Sequence, residues 1–395
     1  MVALVVGWAL LPALADAGVA TPQPEPTPRF GDEIAVRLVT VVARVVDGAG
    51  NPVLGLAPVD FRVRVGRQEV PVAAVDWVSS GEAVPGNLPE SPSASPSSSP
   101  GSERSVQQPA GAPAAAPGKL VVIFVQADAN APSRTRGHLH TLPFTRELLA
   151  ALQPEDRVAV VSFDSHLKLW QDFSRERATV PAVIYQAIHF GGAPYVGPTS
   201  RETPGMRQSR LTAGGTAPAG AVAPELAAGE IPSLARSFDF DAARRAASPE
   251  RALAVTADAL AALPGEKVLV FLAWGLGSFS SFGTQMTPAF APAVRALAAA
   301  RTTVFVLDVT EADSHDLEVG LRGVADATGG TYDKTNLFPA LAVRQLARTI
   351  SGYYLLTLDT ASLPRAGGSV EVELRGRRGN VLLRPTSVPA GAGAR

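Results

Sequence analysis

The chain has 395 residues, no cysteine and a formal net charge of −1, and 46% of its residues are apolar. This length predicts two domains, or one domain with an insertion. The missing cysteines exclude disulfide scaffolds, thiolate zinc sites and cysteine nucleophiles. The near-neutral charge argues against nucleic acid as a partner. The 36 glycines and 34 prolines predict that part of the chain does not fold.

The first element is a continuous apolar run over residues 2–15, which ends in a small-x-small pattern at residues 13–15. The run is shorter than the ~20 residues that a membrane-spanning helix needs, and an Asp and a Pro-rich stretch follow it. We therefore expect residues 1–20 to be a secretory signal peptide. The mature chain is then secreted, or periplasmic and part of the cell envelope, and has no transmembrane segment.

Residues 34–78 have the composition of β structure. Residues 34–46 are rich in β-branched side chains, and residues 61–65 alternate apolar residues with Arg, so that one face of this strand is buried. Residues 79–118 consist mainly of Ser, Pro and Ala and lack apolar bulk, which predicts a disordered linker. We expect a similar flexible insertion at about residues 196–230.

From residue 119 onward, apolar strands alternate with helical patterns. The predicted strands are residues 120–125, 157–163, 166–173, 267–272 and 303–307. The predicted helices are residues 143–152, 179–188, 241–263, 288–299, 316–327 and 336–350. Asn336 is the expected N-cap of the last helix. Strands that are apolar throughout and separated by helices indicate a doubly wound α/β domain with a mostly parallel sheet.

The β pattern returns in residues 353–388, which alternate like a one-sided sheet. Neither this segment nor residues 34–78 has enough strands for a stable sheet of its own. We therefore expect the N- and C-terminal strands to form one small β-sandwich, with the α/β domain of residues 119–352 inserted in it. Two separate small sheets are the alternative.

Several segments resemble the von Willebrand factor A domain and the bacterial VWFA-related secreted proteins typical of Acidobacteria. Residues 152–163, LQPEDRVAVVSF, are similar to the family's L-x-P-x-D-R-V-A-V-V-x-F unit. The other similar segments are residues 45–61, 303–308, 327–330 and 351–356. The resemblance is collinear over residues 34–388, apart from the linkers. It implies a Rossmann-like domain and an adhesion-type module that binds another protein or a cell-surface macromolecule.

The same resemblance implies a metal-ion-dependent adhesion site. In that site Mg²⁺ is held by Asp-x-Ser-x-Ser after the first strand, a Thr from a later loop and an Asp after the fourth strand. The motif's Asp falls at Gln126 or Asp128, and Ser133 is not at the family's spacing. Trp274 stands where the fourth-strand Asp is expected, and the Thr is either missing or Thr216. We therefore predict a degenerate site that holds no metal, in which Asp128, Ser133 and Thr216 are the remaining candidate ligands.

Sequence patterns that would indicate an enzyme are less specific than the resemblance to the A domain. His138 and His140 would share a face only in a strand. Asp164, Ser165 and His166 place the residue types of a hydrolytic triad side by side, whereas triad geometry comes from residues distant in sequence. No Gly-x-Ser-x-Gly elbow and no phosphate-binding loop occur in the sequence.

The sequence thus predicts a non-enzymatic, cofactor-free module that binds its partner where the parallel strands end. The candidate ligand-binding residues are Asp128, Ser133, Trp274, Gly275 and Asp308. Phe279 and Phe282 extend an aromatic patch from the fourth strand, and Asp308 has a second expected role as a helix N-cap. The alternatives are an extracytoplasmic hydrolase around His166 or Asp308, and a structural envelope protein. Titratable groups converging in one pocket favour the enzyme, and an open aromatic face favours binding.

Overall fold

The computed structural model describes residues 39–79, 82–85, 118–128, 131–189, 194, 231–281, 283–376 and 379–390. The predicted signal peptide, most of the predicted linker, the predicted insertion, Thr216 and Phe282 lie outside the described residues. No helix in these ranges is long and apolar enough to cross a membrane.

Strands fill both ends of the described chain, and strands and helices alternate between them. The strands are β1 (Val39–Val46), β2 (Phe61–Val65), β3 (Gln68–Val70), β4 (Val72–Ser79), β5 (Glu82–Pro85), β6 (Leu120–Gln126), β7 (Arg157–Phe163), β8 (Leu167–Ser174), β9 (Lys267–Ala273), β10 (Ser278–Ser280), β11 (Gly283–Gln285), β12 (Thr302–Asp308), β13 (Tyr332–Lys334), β14 (Gly352–Leu358), β15 (Gly368–Leu374), β16 (Asn380–Leu383) and β17 (Ser387–Val388). The helices are α1 (Pro132–Thr141), α2 (Thr145–Ala150), α3 (Val180–His189), α4 (Leu234–Ser237), α5 (Phe240–Arg245), α6 (Pro249–Ala261), α7 (Phe290–Ala299), α8 (Glu318–Thr328) and α9 (Pro339–Thr349).

A six-stranded sheet forms the centre of the α/β part, in the order β13-β12-β9-β6-β7-β8. Neighbouring strands are parallel except β8, which runs antiparallel to β7. Strands β6, β9 and β12 are buried along their whole length, because hydrophobic clusters cover both faces of the sheet. Phe124 packs against Phe271 on one face, and Ile123 belongs to the cluster on the other. The predicted mixed α/β class with a mostly parallel sheet is confirmed.

Two antiparallel sheets contain strands from both ends of the described chain. Their orders are β16-β1-β14-β4-β5 and β17-β15-β2-β3. Val41 of β1 pairs with Leu356 of β14, and β2 pairs with β15. Apolar side chains of both sheets belong to one hydrophobic cluster, in which the ring of Phe61 meets the ring of Tyr354 edge to face. Strand β5 continues the β structure to Pro85, past the expected boundary at residue 78.

Two helices differ from the sequence predictions for local reasons. The helix expected over residues 241–263 is split, since α5 ends at Arg245 and α6 begins at Pro249 after its N-cap Ser248. A Ser N-cap followed by Pro is a strong start signal that overrides a continuous apolar pattern. The last helix begins at Pro339, and Asn336 does not cap it. The Asn336 amide instead donates to a carboxylate in the loop before α8.

Candidate functional site

The strands β6, β9, β12 and β13 end side by side on one edge of the six-stranded sheet, which we call the carboxyl edge. Open α/β sheets bind ligands at this edge, because the loops that follow parallel strands converge there. Asp128, Trp274 and Gly275 follow β6 and β9, and Asp308 ends β12. Ser133 lies in the first turn of α1 and is exposed.

Gln126, the last residue of β6, joins this strand to the turn after β9. Its side chain is fully buried, and its amide nitrogen donates to the carbonyl oxygen of Gly275 at 2.8 Å. Its amide oxygen accepts from the main-chain nitrogens of Trp274 and Gly275 at 3.1 and 3.3 Å. An amide both donates and accepts, whereas an ionised carboxylate only accepts. Gln126 therefore hydrogen bonds to three backbone groups. A carboxylate at this position could not donate to the carbonyl oxygen of Gly275.

His138 anchors α1 to the same strand. Its side chain is buried, and its Nε2 donates to the main-chain oxygen of Gln126 at 2.8 Å. Burial lowers the pKa of His138 to about 4, so the ring is neutral at pH 7. Its Nδ1 is buried without a hydrogen-bond partner. His140 is exposed on the same helix, so the two histidines do not form a pair.

Arg134 of α1 connects two residues of the predicted set. Its guanidinium forms an ion pair with the carboxylate of Asp128, and its Cζ lies 3.4 Å from the ring centroid of Trp274. A guanidinium on the face of an indole is a cation–π contact. The indole nitrogen of Trp274 is buried without a hydrogen-bond partner. Asp128 and Trp274 are therefore brought together through Arg134, while Ser133 makes no side-chain hydrogen bond to any residue that the structure describes.

The Mg²⁺ that the resemblance implies needs about six oxygen ligands in near-octahedral geometry. Where β6 and β9 end, the described side chains offer the Asp128 carboxylate, the Gln126 amide and the Trp274 indole. The carboxylate is paired with Arg134, and the amide is used by the backbone. An indole is no metal ligand. This donor set does not fit Mg²⁺.

Asp308 is the centre of a second cluster at the carboxyl edge. Its side chain is 1% exposed. Its Oδ2 accepts from the Tyr332 hydroxyl at 2.5 Å and from Nε2 of His315 at 2.8 Å. Its Oδ1 accepts from the main-chain nitrogen of Thr310 at 3.0 Å and from the hydroxyl of the same residue. The expected role of Asp308 as a helix N-cap is wrong, because α8 begins ten residues later in sequence at Glu318. Asp308 instead holds the loop between β12 and α8.

Glu318 adds a second carboxylate to this cluster. The Lys334 ammonium lies 2.7 Å from its Oε2, and the hydrogen bond from this ammonium lowers the pKa of Glu318. Burial raises the pKa of Tyr332, and its hydrogen bond to Asp308 raises it further. Ligand atoms of Asp308, His315 and Glu318 lie within 4.8 Å of one another, so this group of described residues could hold a metal ion. The Lys334 ammonium already neutralises the carboxylate of Glu318 in this group.

Two groups of residues have the types of a hydrolytic triad without its geometry. Thr310 Oγ1 lies 3.0 Å from Nε2 of His315, which is the same nitrogen that faces Asp308. In the loop after β7, Ser165 Oγ lies 3.0 Å and Asp164 Oδ1 lies 3.9 Å from one nitrogen, Nδ1, of the next histidine. A triad instead uses one ring nitrogen for the nucleophile and the other for the carboxylate.

Large apolar side chains are exposed along the carboxyl edge. The segments that follow the neighbouring strands β9, β12 and β13 each carry at least one of them. We call the following set the apolar rim: Phe279, Val319, Leu337, Phe338 and Leu341. Their exposed fractions range from 54% to 68%. Sequence reasoning identified only the aromatic residues after β9, because an exposed Leu in a helix start has the same local pattern as a buried one.

Polar contacts hold these three segments next to one another. The Thr284 hydroxyl of the β10–β11 hairpin donates to the main-chain oxygen of Asp316 at 3.1 Å, just before α8. The Asn336 amide after β13 donates to Asp313 at 3.1 Å in the same loop. A recess of about 270 Å³ lies between Asp313, Asn336 and the rim residue Phe338. Two rim residues, Leu337 and Phe338, therefore line this recess together with the loop before α8, which also contacts the β10–β11 hairpin.

No model of a known protein family and no curated protein matches the sequence. Among solved structures, the PilB minor pilin from Streptococcus sanguinis is 12% identical over 59% of this chain and 61% of its own, with a TM-score of 0.34. A von Willebrand factor type A protein from Catenulispora acidiphila is 13% identical over 70% of this chain and 56% of its own, with a TM-score of 0.37. The vWF domain of the type V pili tip protein Mfa5 from Porphyromonas gingivalis is 13% identical over 59% of this chain and 94% of its own, with a TM-score of 0.26. The chain spans less than two thirds of the first two proteins. These TM-scores are too low to support a function, which must rest on the geometry.

Proposed function

We propose that this chain is a non-enzymatic protein-interaction module that binds another protein through the carboxyl edge. The observation that carries this proposal is the apolar rim. Exposed apolar side chains that gather on one surface mark interaction sites. Burying one Leu or Phe side chain against a partner contributes about 1.5–3 kcal/mol.

The rest of the described surface supports this choice of edge. The exposed large apolar residues outside the rim are fewer in each segment: Leu54 and Val59 lie between β1 and β2, Tyr185 lies in α3, and Ile231 precedes α4. Single exposed apolar residues are common and need no partner to explain them. The recess beside Phe338 has room for a large apolar side chain of the partner.

The polar groups at the carboxyl edge support binding over hydrolysis. His315 and Tyr332 both donate hydrogen bonds to Asp308, so these polar atoms are used to hold a loop. In a triad, the nucleophile and the carboxylate contact different ring nitrogens of the histidine. Among the described residues, the hydroxyl and the carboxylate contact the same ring nitrogen, both at His315 and at His166. An open apolar surface beside satisfied polar groups is the pattern of a binding face.

Binding through this edge is proposed to be independent of Mg²⁺. The structure of the β6 and β9 ends supports a degenerate adhesion site, because Gln126 is committed to the backbone and Asp128 to Arg134. Arg134 neutralises the Asp128 carboxylate without a metal, and its cation–π contact with Trp274 holds the guanidinium there.

The proposal also covers where the module is found in the cell and how its domains are arranged. The apolar run at the start of the sequence supports export of the mature chain to the periplasm or the cell surface. The pairing of β1 with β14 and of β2 with β15 supports one β-sandwich into which the α/β domain is inserted. The hydrophobic cluster shared by the two antiparallel sheets supports the same arrangement.

The proposal is tested by capture of proteins from an envelope extract of cells that produce the chain. The full-length protein is immobilised, and captured proteins are quantified by mass spectrometry with and without EDTA. The variant combines Phe279→Ser, Leu337→Ser and Phe338→Ser, which change only exposed side chains. We expect it to lower partner binding about a hundredfold or more, since three apolar contacts are lost.

The matched control combines Leu54→Ser and Val59→Ser, which remove equally exposed apolar residues from the antiparallel part. This control and EDTA should leave capture unchanged. Equal capture by the rim variant would contradict the proposed surface. Loss of capture in EDTA would restore a metal-dependent mechanism. Cleavage of a captured protein that His315→Ala abolishes would favour the hydrolase.

A further inference from the structure

A cavity of about 510 Å³ lies at the opposite edge of the six-stranded sheet, where β9 and β12 begin. Its walls come from the turns before these two strands, from β1 and β14, and from the segment after β16. Glu266, Arg301, Tyr353, Arg384 and Thr386 are among the residues that line it. Its volume lies within the range of small-molecule sites, about 300–1,000 Å³.

Two cationic side chains, Arg301 and Arg384, line this cavity. Two more, Arg44 and Lys267, are buried close to Arg384. Thr303 Oγ1 accepts a hydrogen bond from Arg44 at 3.4 Å and another from Arg384 at 3.1 Å, so two guanidinium groups lie side by side. Lys267 is 4% exposed and begins β9, and Arg301 directly precedes β12.

The negative charge that the described residues supply does not balance these cations. Glu266 forms an ion pair with Arg44. Lys267 donates to a main-chain carbonyl oxygen at 3.1 Å. In the described parts of the chain, no carboxylate forms an ion pair with Lys267, Arg301 or Arg384. Four positive charges and one negative charge leave a local net charge of +3.

The protonation behaviour of these groups reflects the imbalance. Burial lowers the pKa of Arg44 to about 9, that of Arg384 to about 10 and that of Lys267 to about 8, and neighbouring arginines add to each shift. The Nε atom of Arg384 is buried without a hydrogen-bond partner. The fold therefore holds partly dehydrated like charges together, and an anion in the cavity would relieve that repulsion.

We propose that this cavity binds a doubly charged tetrahedral oxyanion, that is, a phosphate or sulfate group, either free or carried by a larger molecule. The planar forks of Arg301 and Arg384 suit the bidentate recognition of such groups. Thr40 and Ser387 line the same cavity and carry further hydroxyl donors, whereas the Thr386 hydroxyl already donates to the main-chain oxygen of Arg384 at 3.0 Å. A local charge of +3 favours a ligand with two negative charges over a single carboxylate.

The test is titration calorimetry on the full-length protein with sodium phosphate, sulfate and acetate at matched ionic strength. We expect saturable binding of phosphate and sulfate, and none of acetate. Arg301→Gln and Arg384→Gln should each weaken phosphate binding about tenfold or more, since each removes a charge-assisted hydrogen bond. Arg301 is exposed, so its variant tests the site even where Arg384→Gln disturbs folding. Arg244→Gln removes an exposed arginine of α5 as the matched control and should change nothing.

Glucose 6-phosphate and glucose distinguish the two sources of the group. Tighter binding of the sugar phosphate than of phosphate, without binding of glucose, identifies an oxyanion carried by a larger molecule, and equal affinities identify the free ion. Three outcomes overturn the proposal: no saturable heat with phosphate or sulfate at millimolar concentration, acetate binding as tightly as phosphate, or unchanged phosphate affinity in natively folded Arg301→Gln.

Discussion

The imidazole of His138 donates to the main-chain oxygen of Gln126, and the side chain of Gln126 holds the backbone of Gly275. A single residue at the end of β6 thus ties α1 to the sheet through its main chain and the turn after β9 through its side chain. Both contacts are buried, and the imidazole of His138 must stay neutral because burial disfavours its charged form. The stability of the folded chain should therefore depend on pH through His138 and on the side-chain amide of Gln126.

His138→Gln should make the protein less sensitive to acid. The pKa of His138 in the folded chain is about 4, below its ordinary value of 6.5, so between these values only the unfolded chain binds a proton. The stability that the neutral imidazole contributes is complete above pH 6.5 and is lost as the pH falls through 4. Between pH 7 and about pH 4.5, the loss in free energy of unfolding should be about 2–3 kcal/mol smaller in the variant. Urea unfolding at both pH values measures it.

The control for this prediction is His140→Gln, which changes an exposed histidine of the same helix. Its pH dependence should equal that of the wild type. A His138→Gln protein that loses as much stability on acidification as the wild type would contradict the buried neutral histidine.

Gln126→Leu should lower the free energy of unfolding by about 3 kcal/mol or more, because it leaves two buried backbone groups and one partly buried group without their partner. Urea unfolding at pH 7 measures the change. Gln171→Leu is the matched control, since the Gln171 amide nitrogen is buried without a partner and its removal should cost little. Equal losses of unfolding free energy in both variants would show that the hydrogen bonds of the Gln126 amide do not stabilise the fold.

Gly137→Ala should destabilise the protein although Gly137 lies within α1. An alanine in a helix ordinarily stabilises by about 0.5–1 kcal/mol over glycine. A Cβ at Gly137, however, would lie 1.8 Å from the main-chain oxygen of Val309, so α1 would have to shift. We expect a loss of about 2 kcal/mol. Thermal unfolding compares it with Gly48→Ala, where a Cβ meets nothing within 4 Å, and a rise in Tm for Gly137→Ala would disprove the close contact.

Arg177→Met should destabilise the segment that joins α2 to β7. The guanidinium of Arg177 donates to the carbonyl oxygens of Leu149 at 3.3 Å and Leu152 at 2.6 Å, and to that of the next residue. Removing these donors should lower the free energy of unfolding by about 2 kcal/mol, and Arg177→Lys should recover only part of it. Arg175→Met changes an exposed arginine and is the control in the same urea experiment. Full recovery by Lys would argue against a multiple contact.

The central strands of the six-stranded sheet, β6, β9 and β12, can be predicted from the sequence because they are apolar along most of their length. The edge strand β13, Tyr332–Lys334, is not predicted, because it is short and polar. The sequence predicts a strand at residues 120–125, and β6 is Leu120–Gln126. The break between Arg245 and Pro249 escapes prediction, since the apolar spacing of residues 241–263 continues through it and the Ser–Pro start signal is local. Periodicity reports which face is buried, and it does not report where a helix stops when both halves face the same core.

The position of the candidate residues can be predicted, but their contacts cannot. Asp128, Trp274 and Asp308 lie at the carboxyl edge because the end of a parallel strand fixes that edge. The partners of these residues come from other segments, such as Arg134 over Trp274 and Tyr332 on Asp308. No local pattern encodes such pairs, which depend on the packing of whole elements. Their role in ligand binding stays a prediction.

The placement of β1 has a consequence for biosynthesis. Its two neighbours in the sheet, β14 and β16, come from the other end of the chain. The ribosome completes this eight-residue, mainly apolar strand long before it makes residues 352–383, so both hydrogen-bonding edges stay open for most of translation. Pairings of such long sequence separation also form slowly. A message truncated before Gly352 would therefore release a chain with a permanently open strand, a product fit for proteolysis or aggregation.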